Sequence, residues 1–243
     1  MAGPAAEVEL RPTEEELAEL NQRFAQASPE DVLRWAADRF SPDLSLSCSF
    51  GGASGMVLLD MVAKLKLQVE VFYLDTGLLF LETYALRDEA ERRYGIQPVA
   101  YRSSLSLVEQ AERHGDELWL RDPDRCCYLR KVAPTERALR GKRAWISGIR
   151  RDQSSTRATV PHVGWDETFE LWKVSPLADW TEDDVWSYIR EHDVPVNKLH
   201  DDGYPSIGCM PCTRPVMPGE DLRAGRWSGT AKVECGLHLP VKR

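Results

Sequence analysis

The sequence predicts an α/β fold: a doubly wound, mostly parallel sheet followed by a flexible C-terminal tail. Short apolar runs of strand length alternate with helical patterns, the signature of βαβ units. Glycine turns stand where strands give way to helices, as at "SFGGASG" (49–55). Gly and Pro crowd into "DDGYPSIGCMPCTRPVMPGEDLRAGRWSG" (201–229), which reads as loop or tail. So long a stretch with little regular pattern is usually functional or disordered.

Two helices open the chain. "PTEEELAELNQRFAQ" has Thr13 as cap and Glu16 three residues on, a capping-box pattern. "SPEDVLRWAADRF" has Ser28 as cap and Pro29 at the first helical position. "LSLSCSF" (44–50) reads as a buried strand, followed by a glycine turn and the helix "SGMVLLDMVAKL". "VEVFYL" (69–74) is a second strand, and "LETYALRDEAERRYG" a helix ending at Gly95. "IQPVAY" is a weaker strand, and "LSLVEQAERHG" a helix. The helix over "CCYLRKVAPTERALRG" is open to breakage at Pro134. "RAWISG" (143–148) is again a strand, and "WTEDDVWSYIREHD" a helix capped by Thr181 with Asp184 three on. The expected division is an N-terminal helical extension (1–27), an α/β nucleotide-binding domain (28–208) and a cysteine loop with tail (209–243). No internal repeat is visible.

The totals narrow the class. The chain has 243 residues, 42% of them hydrophobic, and no apolar run that could span a bilayer. The N-terminus lacks the basic and apolar regions of a secretory signal, so a cytoplasmic protein is expected. A net charge of −8 argues against a general nucleic-acid binder. Charge is unevenly spread, however. Arg121 to Arg157 holds 11 Lys/Arg against 4 Asp/Glu. Such a block suits a small anionic ligand, or a solvated helix face.

Gly51 and Gly52 stand between a strand and a helix start, where backbone N–H groups favour anions and glycine admits a phosphate closely. The turn matches neither G-x-x-x-x-G-K-[ST] nor G-x-G-x-x-G, and a plain tight turn is the competing reading. "LDTG" (74–77) closes the next strand, and "SGIRRDQSSTR" (147–157) follows a third with groups suited to phosphate or sulfate oxygens. Nucleotides bind at such switch points.

Six cysteines stand at 48, 126, 127, 209, 212 and 235. Cys48 lies in an apolar strand pattern and reads as inert core. Cys126–Cys127 and Cys209/Cys212 form two pairs in basic surroundings. Three readings stay open on spacing: a 4Fe–4S cluster, whose separate iron corners suit adjacent cysteines; structural zinc; and thioredoxin-like redox chemistry at the Cys-x-x-Cys pair. Cys235, in "KVECGLH", stands apart on the tail, as an incidental cysteine or a reactive one.

Together, "SCSFGGASG", "LDTG", "CC" with "LRK", "SGIRRDQSSTR", "SPLADWTEDDVW", "YPSIGCMPCTRPV", "PGEDLRAGRW" and "ECGLH" give the chain a pattern that resembles the assimilatory sulfonucleotide reductases. It is most similar to the bacterial adenylylsulfate (APS) reductases, over about residues 28–238. The resemblance implies an adenine-nucleotide α-hydrolase-like fold, a flexible C-terminal segment, and a 4Fe–4S cluster on Cys126, Cys127, Cys209 and Cys212. It implies reduction of APS to sulfite and AMP with thioredoxin or a glutaredoxin-like protein as reductant. Cys235 matches the family's nucleophile, and Lys131 a lysine between cluster and sulfate. Ser47, Ser49, Gly148, Arg157, Arg223, Arg226 and His238 match substrate-contacting positions.

On this reading the Cys235 thiolate attacks the sulfate sulfur, AMP leaves, and the tail carries an S-sulfocysteine to the reductant. Lys131, Arg157, Arg223 and Arg226 are expected to neutralise the developing charge. No membrane or nucleic-acid partner is expected, and a homo-oligomer is compatible with the sequence. The chain departs from the family pattern at Ser228 and Gly229, where aromatics are frequent, and at Val233, where Arg or Thr is common. The alternatives are a PAPS reductase and an ATP-pyrophosphatase-type enzyme on the same fold. The glycine turn lacks the Asp of S-G-G-x-D-S, which argues against the latter.

Overall fold

The structure, a computed structural model, describes residues 11–230, 232 and 234–237. Helices α1 (Glu14–Phe24) and α2 (Pro29–Phe40) come first, and the Thr13 and Ser28 hydroxyls accept from the Glu16 and Asp31 N–H groups. Next come β1 (Leu44–Ser47), α3 (Ala53–Lys64), β2 (Glu70–Asp75), α4 (Leu81–Tyr94) and β3 (Val99–Arg102). Then follow α5 (Leu107–His114), α6 (Leu118–Arg121), α7 (Pro123–Cys127), a π-helical turn at Tyr128–Val132, and α8 (Ala133–Ala138). The chain continues through β4 (Ala144–Ile146), β5 (Val163–Asp166), β6 (Leu171–Val174) and α9 (Glu182–His192). No described helix is long and apolar enough to cross a membrane.

Among the described residues the sheet has six strands in the order β3-β2-β1-β4-β6-β5. All neighbours are parallel except β5 and β6. The expected doubly wound, mostly parallel sheet is therefore present. Its central strands read as apolar runs because both faces are covered. Leu44, Leu46, Val71, Tyr73, Ala144, Ile146 and Val174 face a large core shared with α2, α3 and α4. The alternate residues Phe72, Trp145 and Leu171 face a smaller cluster with Ala138 and Leu139.

Three elements differ from the sequence reading. Strand β1 ends at Ser47 instead of running to residue 50. The Cys48 N–H still donates to the Phe72 carbonyl at 2.9 Å, but Phe50 turns into the left-handed region with φ +52°. The helix expected over 126–141 is not broken at Pro134 but changes form ahead of it: α8 begins at Ala133, and the chain widens into the π turn just before it. Proline has no N–H to return to the carbonyl four residues back, so the preceding turn rearranges. The β5–β6 hairpin was not foreseen. Its outer strand borders α1, where Asn21 Nδ2 donates to the Val163 carbonyl at 2.7 Å and Asn21 Oδ1 accepts from the Val163 N–H at 3.1 Å. A side-chain amide thus blunts the sheet edge.

Buried Asn197 fixes the turn after β1. Its Nδ2 donates to the Phe50 carbonyl at 3.0 Å and to Thr83 Oγ1 at 3.2 Å. Its Oδ1 accepts from the Leu199 N–H at 3.1 Å. One side chain therefore ties the positive-φ turn to α4 and to the segment after α9. Asn197→Ala should cost about 1–3 kcal/mol, because the buried Phe50 carbonyl is left without this donor. Denaturant midpoints of the two proteins measure it, and an unchanged midpoint contradicts the assignment.

Candidate functional site

The carboxyl ends of β1, β2 and β4 open into a cleft of about 290 Å³. Its floor is the turn into α3. Ser49 Oγ accepts from the Gly51 N–H at 3.3 Å and the Gly52 N–H at 3.4 Å. Gly52, at the start of α3, makes no side-chain cap bond. The unpaired N–H groups of a helix start favour an anion. Gly148, after β4, lies against this turn. A Cβ there would stand 3.2 Å from the Gly55 nitrogen and the Ser54 Cβ, so only glycine lets the two loops meet.

The second loop, after β2, is held by Asp75. Its carboxylate accepts from Tyr84 at 2.7 Å, the Gly77 N–H at 3.1 Å and Arg102 at 2.8 Å. Burial works against this carboxylate, but the bonds from Tyr84 and Arg102 outweigh it and hold it below the usual range. The Cys-x-x-Cys loop is stitched onto the same segment. The Met210 N–H donates to the Leu78 carbonyl at 2.7 Å, and Cys209 Sγ to Thr76 Oγ1 at 3.4 Å.

Cys126, Cys127, Cys209 and Cys212 line one small cavity with Arg130, Lys131 and Trp227. Burial pushes the Cys126 thiol up to about 12 and the Cys212 thiol up to about 11, with neighbouring cysteines adding to both. Arg130 is buried beside them. Its Nε donates to Gln110 at 2.8 Å and its Nη1 to the Thr76 carbonyl at 2.8 Å, while Nη2 has no partner. Among the described residues, no three His, Cys, Asp or Glu side chains are grouped to hold a metal ion. The donor set nevertheless suits a cluster with separate iron corners: four soft thiols around one space, with a spare guanidinium N–H beside them.

Lys131, on the π turn, lines both this cavity and the cleft. Burial works against its ammonium, but Cys209, Cys127 and Cys235 outweigh it and lift it above the ordinary lysine value. The expected residues Ser47, Ser49, Lys131, Gly148, Arg157, Arg223, Arg226 and Cys235 all line the one cleft. His238 lies outside the described residues. Cys48 lies under the floor, and burial pushes its thiol up to about 12, as suits an inert core cysteine.

Three further residues shape the site and were not singled out from sequence. Buried Arg150 bonds Ser54 Oγ of the glycine turn and pairs with Asp152 at 3.0 Å. Trp227 stands between cleft and cysteine cavity, with the Arg226 guanidinium 4.5 Å from its ring centre and Lys131 Nζ 5.9 Å away. Glu234, next to Cys235, is buried against Arg157 at 2.7 Å and Arg223 at 2.6 Å. An acid beside the candidate nucleophile, within a cation-rich patch, was the signal available for it.

Lys131 and Arg226 have no carboxylate partner among the described residues, and Arg226 Nε is buried without a hydrogen bond. Arg226 Nη1 bonds Ser206 at 3.2 Å. The cleft thus offers two cations, a helix start and a half-buried thiol to an anionic nucleotide. Gly208 makes room for Arg226: a Cβ there would come 2.6 Å from the Arg226 Cζ. Gly208→Ala should displace that flexible side chain and leave the fold intact. Affinity for an anionic nucleotide should fall about tenfold to a hundredfold, the worth of one charge-assisted contact. Calorimetry checks this, and unaltered affinity would place Arg226 outside the binding set.

A model of the phosphoadenosine phosphosulfate reductase domain matches residues 43–215. The adenosine 5'-phosphosulfate reductase of Shouchella clausii (strain KSM-K16) is 48% identical over 224 residues, covering 92% of this chain and 92% of that protein. Adenosine 5'-phosphosulfate reductase 1 of Bacillus subtilis (strain 168) is 50% identical over 208 residues, 85% of this chain and 89% of that one. Among solved structures, the phosphoadenylyl-sulfate (PAPS) reductase of Candida auris, in a phosphate complex, superposes with a TM-score of 0.76 at 34% identity, covering 84% of this chain and 99% of that one. The FMN adenylyltransferase of Candida glabrata, with FAD and inorganic pyrophosphate, has a TM-score of 0.57 at 16% identity over 85% of this chain and 69% of its own, and shares the fold alone. On the domain match and these relatives, the chain belongs to the phosphoadenosine phosphosulfate reductase domain family.

Proposed function

We propose that this protein is a cytoplasmic adenosine 5'-phosphosulfate reductase, forming sulfite and AMP in assimilatory sulfate reduction through Cys235 and a thioredoxin-type reductant. One observation carries the reading. A single cleft at the strand ends brings the glycine turn, Lys131, Arg226 and the Cys235 thiol together. The names of the bacterial relatives point the same way.

The nucleotide's anionic groups bind at the start of α3 and against the unpaired cations. The Cys235 thiolate attacks the sulfate sulfur. A sulfur–sulfur bond forms, the bond from sulfur to the AMP phosphate oxygen breaks, and AMP leaves with that electron pair. Lys131 and Arg226 stabilise the charge that gathers on the oxygens. A reductant thiolate then attacks Cys235 Sγ. The sulfonate departs as sulfite with the bonding pair, and the mixed disulfide resolves on the reductant's second thiol. Sulfur is reduced by two electrons, and two reductant thiols become a disulfide.

Cys126, Cys127, Cys209 and Cys212 would hold a 4Fe–4S cluster. When bound, it would supply fixed charge beside Lys131, while both electrons come from the reductant's thiols. A role for Lys131 as link fits its place on both the cavity and the cleft.

The test is anaerobic sulfite release from APS and PAPS side by side. APS should be the better substrate, and equal or faster turnover of PAPS would favour the 3′-phosphorylated reading. Without thioredoxin the wild type should stop after one turnover, with a sulfonate on the Cys235 peptide. Cys235→Ser should make no sulfite yet still bind nucleotide, and Lys131→Ala should slow turnover about a hundredfold. A sulfonate on any other cysteine overturns the mechanism.

The cluster is tested separately. Anaerobically purified protein should be brown and contain iron and labile sulfide, and Cys126→Ser or Cys209→Ser should bleach it. Colourless protein carrying one zinc sinks that part of the proposal.

A further inference from the structure

We propose that Glu234 is a positioning residue that docks the nucleophile, with Arg157 and Arg223 as its receptor while the tail is in place. The inference rests on the reading of Cys235 as nucleophile. Arg157 Nη2 donates to both Glu234 oxygens, at 2.8 and 2.7 Å, and Arg223 Nη2 donates to Oε1 at 2.6 Å. The Glu234 side chain is 1% exposed, and its two partners are 10% and 16% exposed. A carboxylate so deeply desolvated stays buried only where it is paired and hydrogen-bonded, and removing its charge breaks the arrangement. The partners lie 77 and 11 residues away in sequence, so the contact fixes the tail to the domain and not merely to itself.

The local chain is built around this contact. Glu234 stands immediately before Cys235, and Leu237 follows two residues after it, packed against the cluster of Phe72, Trp145 and Leu171. Between them Gly236 has φ +79°, a turn open to glycine at little cost. The order is ionic anchor, thiol, turn, apolar anchor. Together the two anchors hold the half-buried Cys235 at the cleft. Of the cleft cations expected to meet the sulfate, Lys131 and Arg226 alone have no carboxylate partner among the described residues.

The experiment compares wild type, Glu234→Gln and Glu234→Asp in two assays. The first follows iodoacetamide alkylation of Cys235 by peptide mass, without nucleotide. Undocking should raise the Glu234→Gln rate about tenfold or more, the effect of unpairing a buried charge. Glu234→Asp should return it toward wild type. Equal rates in all three proteins refute the docking role. This assay needs no reductase activity, so it stands even if no substrate is reduced.

The second measures AMP affinity and the single-turnover rate of sulfonate formation from APS. Glu234→Gln should slow sulfonate formation at saturating APS and leave AMP affinity unchanged. Tighter AMP binding by Glu234→Gln would instead make Glu234 a competitor for the anion site, and would overturn the proposal. If wild type forms no sulfonate while the alkylation rates still differ, the fault lies with the assigned reaction and not with the docking.

Discussion

The burial of several positive charges around one cleft is the constraint on which the rest of this structure depends. Lys131, Arg157, Arg223 and Arg226 line the same cavity, and like charges in a partly dry space repel. Burial together with the neighbouring Arg157 pulls Arg223 down to about 10, a direct expression of that cost. The protein offsets it unevenly. Glu234 takes up two guanidiniums, the Trp227 ring lies against Arg226, and the cysteine wall lies beside Lys131. What is left uncompensated is the attraction for an anion.

Much of the frame was legible because physical chemistry writes it locally. Central strands with both faces buried must be apolar throughout, so β1, β2 and β4 stood out. Caps at Thr13, Ser28 and Thr181 announced their helices through hydroxyls that bond within three residues. The β5–β6 hairpin had no such announcement. It pairs antiparallel at an edge and carries Gly164, Asp166 and Lys173, and half-buried Lys173 is held at 2.9 Å by Asp166. Its turn sets Glu170 at φ +54°, without the Asn-Gly or Gly that signals a hairpin. The stabilising Asn21 comes from 142 residues away.

The site divides along the same line. Cysteine pairs, glycine turns and basic residues carry their chemistry in their type and spacing, so they could be named from sequence. The positions of Glu234, Arg150 and Trp227 matter because of what folding sets opposite them. The acid in "ECGLH" stands out in sequence only as a neighbour of the candidate thiol; that Arg157 and Arg223 close on it is set by folding. Sequence gives the reacting groups more readily than the contacts that hold them.

The π turn at Tyr128–Val132 bears on which changes of chain length this protein can accept. A π turn is in effect an α-helix with one residue added. Removing one of its five residues would return the segment to the α-helical count and close the widened turn. Cys126 and Cys127 precede the turn, while Lys131 lies within it and Pro134 just beyond. A single deletion would therefore shift Lys131 relative to the cysteine pair before it by closing the turn that now spaces them. The exposed loop around Met217–Asp221 has no such spacing to keep, so insertions and deletions should accumulate there and be purged from the turn.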